Sequence, residues 1–200
     1  MHTKAKNRFA LAVALVLLGT AQVGNAEMDP QAEAAAREYF TDTVLINQDG
    51  EEVRFFSDVL KDQVVVINFI FTNCLGACPM ITEKLRMARE ALDEEQANAL
   101  RFVSISIDPE RDSPAAMREF QQTHRATGNW VFLTGDQENL DAVVKRLGQW
   151  APDVEAHSTL VLAGNVNERH WMKIMPSVPP PIIAEQLRSL LTGGETMSTN

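Results

Sequence analysis

Apolar and polar positions along this chain switch repeatedly between a two-residue and a three-to-four-residue rhythm, the signature of alternating strands and helices. Residues 43–46 and 53–56 flank Asn47-Gln48-Asp49-Gly50, and Asp-Gly at the turn predicts a hairpin. Residues 64–71 form a near-continuous apolar run, as expected of a strand covered on both faces. Pro79 suits a first helical position, and Ile81, Leu85, Ala88 and Leu92 then mark one apolar helix face. Residues 101–107 read as the next strand. Ser113-Pro114 reads as a helix cap and first turn, with Met117 and Phe120 turned inward. Residues 130–133 form a short strand. Asp136 caps a helix carrying Leu140, Val143, Val144 and Leu147, which Gly148 ends. Residues 158–163 and 168–174 flank Gly164-Asn165, which predicts a second hairpin. Pro179-Pro180-Pro181 leads into a last helix through Leu191, stopped by Gly193-Gly194. The pattern predicts an α/β fold of thioredoxin-like architecture: an N-terminal β-hairpin and a central mixed sheet flanked by helices. Parallel crossovers would gather the strand ends, and the loops after them, on one edge.

The N-terminus follows different rules. Lys4, Lys6 and Arg8 precede an apolar stretch over residues 9–18, too short to span a bilayer, and Gly24-Asn25-Ala26 supplies small residues for cleavage. This reads as a secretory signal peptide cut after Ala26, with an uncleaved anchor as the alternative. Either way the body is exported, and a periplasmic location is expected. The predicted organisation is a leader over 1–26, a mobile or weakly helical leading segment over 27–39, one domain over 40–192 and a loose tail over 193–200.

Removing a leader with three basic and no acidic residues leaves 15 basic against 27 acidic, a net charge of −12. That excludes the basic footprint of a nucleic-acid binder. A chain of this length buries a real core, so it needs no disulfide staple.

Cys74 and Cys78 are the only cysteines. A bridge between them would close a loop of five residues, worth about 2 kcal/mol of chain entropy, too little to explain the pair structurally. They stand where a strand ends and a helix begins. If Pro79 opens that helix, Cys78 lies near its N-cap, where free N–H groups and the helix dipole favour a thiolate. Three residues separate the sulfurs, one more than in Cys-x-x-Cys oxidoreductases. The wider loop suits two ligand sulfurs at least as well as a fast exchange couple. Two thiolates favour Cu(I) and tolerate Zn(II), and copper would want a third donor, typically an imidazole. His124 reads as a helix-end histidine and His170 as an exposed strand residue. His157 differs, because its loop enters the strand expected to lie against the cysteine loop. Met80 reads as a core-facing helix methionine, with a soft metal contact as the alternative.

These residues make the chain similar to the Sco/SenC family of copper-binding, thioredoxin-like proteins, over roughly residues 40–191. Asn68-Phe69-Ile70-Phe71-Thr72-Asn73-Cys74 with Cys78-Pro79 resembles the family's metal loop. The run from Ser104 through Asp108-Pro109-Glu110-Arg111-Asp112-Ser113-Pro114 resembles its second signature, and His157-Ser158 its third ligand. The resemblance implies copper, as Cu(I) or Cu(II), held by Cys74, Cys78 and His157, with Asp108 nearby in support; Asp108 read alone is a turn residue before Pro109. The chain departs from the family at Leu75-Gly76-Ala77, where Pro-Asp-Val is usual, and at Trp171-Met172-Lys173-Ile174-Met175 in the final strand.

The function so implied is that of a periplasmic copper-binding assembly factor. It would deliver copper to a respiratory enzyme such as the binuclear centre of a cytochrome c oxidase subunit, with a periplasmic thiol reductant as second partner. The alternative is a thiol–disulfide oxidoreductase reducing the cysteines of a copper-protein client, with Cys74 attacking and Cys78 resolving. A redox-sensing binding module stays open as a third class. A peroxidase is disfavoured, because Thr72 stands two rather than three residues before Cys74 and no proline precedes them in the strand.

Overall fold

A computed structural model describes residues 28–153 and 157–193. The predicted leader over 1–26 lies outside these residues, as does the predicted tail apart from Gly193. Seven strands form one mixed sheet: β1 (Val44–Asn47), β2 (Glu52–Arg54), β3 (Val64–Ile70), β4 (Leu100–Ser106), β5 (Trp130–Thr134), β6 (Val161–Asn165) and β7 (His170–Ile174). Their spatial order is β2-β1-β5-β4-β3-β6-β7. Strands β3, β4 and β5 run parallel at the centre, while β1 lies antiparallel to β5 and β6 antiparallel to β3. The expected thioredoxin-like α/β architecture is present.

Alternation along the central strands divides the core in two. Val66, Ile70, Phe102 and Phe132 face the layer of α2 (Ala77–Glu90), α4 (Pro114–Thr123) and α6 (Pro180–Leu191), meeting Leu85, Met117 and Leu187. Val65, Ile67, Val103 and Ile105 face α5 (Gln137–Arg146) and a π-type turn, Phe55–Leu60, meeting Val143, Phe55 and Phe56. Six of the seven β3 residues are buried, which is why the strand reads as an unbroken apolar run.

Four elements differ from the sequence expectation. The leading segment forms a helix, α1 (Pro30–Phe40), because the Asp29 carboxylate accepts from the N–H groups of Gln31 and Ala32 and Phe40 is buried. The predicted second strand gives way at Phe55 to the π-type turn, which buries both Phe55 and Phe56. An unpredicted helix, α3 (Glu94–Ala99), follows a capping box between Asp93 and Gln96. The second hairpin turns after Asn165, which pairs with His170, so Gly164 lies within β6 rather than in the turn.

Candidate functional site

The cysteine loop leaves β3 at its C-terminal end and runs into α2. The helix begins at Ala77, two residues earlier than Pro79 suggests, and its N-cap position is Gly76, which has no side chain to offer. The Cys74 sulfur takes that role: it accepts the Cys78 N–H at 3.4 Å, one of the N–H groups an α-helix start leaves unpaired. Cys78 is therefore in the first turn, on the same apolar face as Ile81 and Leu85, and only 1% exposed. Cys74 is half-buried, and both cysteines are free thiols.

This geometry separates the two sulfurs electrostatically. Burial opposes ionisation of Cys74. Hydrogen bonds from the Cys78 thiol and from the N–H groups of Cys78, Gly76 and Ala77 outweigh it and hold Cys74 below the ordinary thiol value. Burial, first, and the adjoining Cys74 sulfur push Cys78 up to about 12. The first thiolate therefore belongs to Cys74, not to Cys78 as the expected helix start implied.

Beneath the loop lies a residue to which the sequence reading assigned no role. Asp112 is fully buried, and its Oδ1 accepts from the Thr72 N–H at 2.9 Å and the Thr72 hydroxyl at 2.6 Å. Its Oδ2 accepts from the Ser106 hydroxyl at 2.6 Å, and the Ser106 oxygen in turn accepts the Asp108 N–H at 3.1 Å. One carboxylate thus ties the start of the cysteine loop to the end of β4 and to the residue before the Ser113 cap of α4. Its place in the Asp108-to-Pro114 signature was the available signal.

His157 reaches the same edge of the sheet from the segment that enters β6. Its ring meets Phe71 edge-on at 5.6 Å, and the Phe71 carbonyl accepts the Cys74 N–H at 3.1 Å. His157 and Asp108 share a cavity of about 410 Å³ with Ser106, Gln149 and Trp150. Asp108 is nearly buried, faces the Arg111 guanidinium at 3.2 Å, and its carbonyl accepts from Arg111 and Asp112 to form the expected turn. The cysteines thus form one cluster and His157 with Asp108 another, with Phe71 in contact with both. Among the described residues, no group of three or more His, Cys, Asp or Glu side chains stands close enough to hold a metal. Holding one between Cys74, Cys78 and His157 requires the two clusters to close across Phe71.

The remaining candidates lie elsewhere. His124 ends α4 against the Phe120 ring at 4.3 Å, and His170 is exposed at the start of β7. Met80 is 47% exposed rather than core-facing, because Cys78, Ile81 and Leu85 take the buried face of α2.

The family model described as SCO1/SenC matches residues 30–192. The chain belongs to the SCO1/SenC family. The match begins at the first residue of α1, so the helix is inside the family's domain. The SCO1 homologue of Bacillus subtilis is 39% identical over 90 residues, 44% of this chain and 45% of that protein. A protein of Stutzerimonas stutzeri named for copper binding is 28% identical over 155 residues, 74% and 72% of the two chains. The chain spans about half the length of the first curated relatives it matches. Among solved structures, BsSco, described as a Sco-family cytochrome c oxidase assembly protein with a disulfide switch, superposes with a TM-score of 0.61. It is 26% identical and covers 74% of this chain and 91% of its own. No helix among the described residues is long and apolar enough to cross a membrane.

Proposed function

We propose that this chain is an exported copper-binding assembly factor that takes copper as cargo on Cys74, Cys78 and His157. It passes that copper to a respiratory copper enzyme, the binuclear site of cytochrome c oxidase. The observation that carries the reading is the sulfur pair at the start of α2, one sulfur set to ionise and the other protonated in reserve. A soft cation replaces the Cys78 proton and gains two thiolates at once. Membership of the family, a relative named for copper binding and a structural neighbour described as an oxidase assembly protein support it. Export is supported by the leader-like residues 1–26.

Anaerobic titration of the reduced protein with Cu(I) and with Cu(II), beside His157→Ala, tests the site. The expected result is 1:1 binding, a sulfur-to-copper charge-transfer band with Cu(II), and a loss of about tenfold or more in affinity on substitution. Binding indifferent to His157, or none, sinks the copper reading.

A second reading is favoured by the same split between the sulfurs. A low-lying Cys74 thiolate beside a protonated Cys78 is the arrangement of an attacking and a resolving thiol. Attack by Cys74 on a client disulfide forms a mixed disulfide and releases one client thiolate. Cys78 then gives up its proton, displaces the second client thiol and leaves the Cys74–Cys78 disulfide. A Cys78→Ser protein that traps a mixed disulfide with a model disulfide substrate supports it; reduced wild-type protein that turns over no such substrate removes it.

A further inference from the structure

Far from the cysteine loop, β7 closes one side of the sheet and, among the described residues, pairs only with β6. A slot of about 660 Å³ runs beside it, between α1 and the end of α5. Trp171, Met172 and Lys173 all line that slot. Trp171 and Lys173 pair with Gly164 and Leu162 and so share the face of the sheet that carries α1 and α5, where the slot lies beside β7. A segment laid along the outer side of β7 would reach both the slot and the strand's unpaired backbone groups.

The lining sets the chemistry. Ala36, Tyr39 and Leu162 give it an apolar floor, and Arg146, Arg169 and Lys173 stand around it. Among the described residues none of these three cations is in an ion pair, unlike Arg37, Lys61, Arg86, Arg111, Arg118 and Lys145. The whole chain carries 27 acidic against 18 basic residues, so three unpaired cations around one apolar slot reverse the sign of the surface locally. Arg169 also sits at φ 54°, a left-handed turn position that glycine or asparagine holds at less cost.

We propose that the β7 edge docks an extended segment of a partner protein, added to the sheet as an eighth strand, whose slot-facing residues, every second one along the strand, are apolar and acidic in turn. Backbone hydrogen bonds to β7 would supply register, apolar side chains would fill the slot, and carboxylates would meet Arg146, Arg169 and Lys173. The same cations discriminate. A second copy of this chain would bring its own Arg169 and Lys173 to the edge and be repelled, while an acidic strand is admitted. Ile174, at one end of β7, pairs with Val161, four residues past His157, so the bound segment runs toward the edge of the sheet that holds the cysteine loop. The docking needs no metal and stands apart from the copper reading.

The test uses the full chain and a fluorescent peptide, acetyl-Glu-Thr-Val-Thr-Glu-Thr-Phe-Thr-Glu-amide, whose odd positions present apolar and acidic side chains on one face, followed by anisotropy at low salt. The expected result is saturable binding below about 1 mM. The double variant Arg169→Glu, Lys173→Glu should weaken it about tenfold or more with the far-ultraviolet spectrum unchanged. N-methylation of alternate peptide amides should weaken it as much, by removing the strand hydrogen bonds. No binding up to that concentration overturns the proposal. Equal binding of the N-methylated peptide also overturns it, since attraction would then be charge alone. Oleate taken up in place of the peptide would reassign the slot to an acyl ligand and overturn it as well.

Discussion

Asp112 shows how much of the site depends on one buried side chain. Three donors converge on its carboxylate, and two of them belong to Thr72, two residues ahead of Cys74. Asp112→Ala leaves those donors buried without acceptors, at a cost of about 3 kcal/mol. Asp112→Asn keeps an acceptor for Thr72 and lets the Ser106 hydroxyl rotate, and should cost about 1 kcal/mol. Urea unfolding measures both; equal losses would mean that the carboxylate is a filler rather than an acceptor. The cysteines carry a second prediction. Cys74 lies below its ordinary value, so its thiolate is better held folded than unfolded, and iodoacetamide at pH 7–8 should label Cys74 first and Cys78 last. Cys78 is held protonated up to about 12, so the folded chain keeps a proton that the unfolded chain, with a thiol near 9.0, releases. Its contribution is present below the unfolded value, and stability falls as pH rises between the two. Cys78→Ala should flatten that alkaline decline in urea titrations and, by removing a hydrogen-bond donor, move Cys74 labelling to higher pH. The pair itself was plain in the sequence. The assignment of the thiolate was misread because Pro79 suggested the helix start. The spacing Cys78, Ile81, Leu85 already put Cys78 on the buried stripe, and that phase outweighs the proline.

At the level of elements, long periodic segments were legible and short ones were not. Strand β3 and helix α2 follow from uninterrupted patterns. Ser113-Pro114 marks the start of α4 as expected, its hydroxyl accepting the Ala116 N–H at 3.2 Å. The second hairpin was displaced because Gly164 looked like a turn residue. Its actual reason is a close approach: a Cβ there would stand 2.4 Å from the Trp171 ring on the neighbouring strand. No local rule reveals that, since the partner is seven residues away and across a ladder whose register the sequence leaves open. Gly164→Ala should therefore push Trp171 off β6 and disturb its contact with Phe40, costing about 2 kcal/mol by overpacking. A drop in thermal midpoint with altered tryptophan fluorescence checks it. An unchanged midpoint would mean that the indole has room to shift. Helix α3 was missed for a different reason. Six residues are too short for an amphipathic pattern, although the Asp93-to-Gln96 capping box was there to be seen.

For the whole molecule, the largest departure from the sequence expectation is α1, and it bears on how the domain is bounded. An Ala- and Glu-rich run has little apolar periodicity, so nothing local ties it down; its attachment is tertiary. Phe40 stacks against Phe56 at 6.5 Å and meets Trp171 at 5.3 Å, bridging the π-type turn and the edge strand. Glu33 pairs with both Arg37 and Lys61, and Arg37 reaches Asp42 and the Ser57 hydroxyl. Exposed pairs of this kind add little, so the buried ring carries most of the attachment. Removing residues 28–40 should cost about 3 kcal/mol, mainly the lost burial of Phe40 and of the surface it covers. In a chain of this size that lowers the thermal midpoint by roughly 6–12 °C. The cysteine loop is built from the C-terminal end of β3, α2 and Asp112, whereas α1 packs mainly on the π-type turn and α5, so Cys74 labelling should keep its rate and pH dependence. An unchanged midpoint would make α1 an appendage. A lost midpoint together with altered Cys74 labelling would mean that the helix supports the site from across the sheet, through the β6–β7 pair that joins Trp171 to the segment carrying His157.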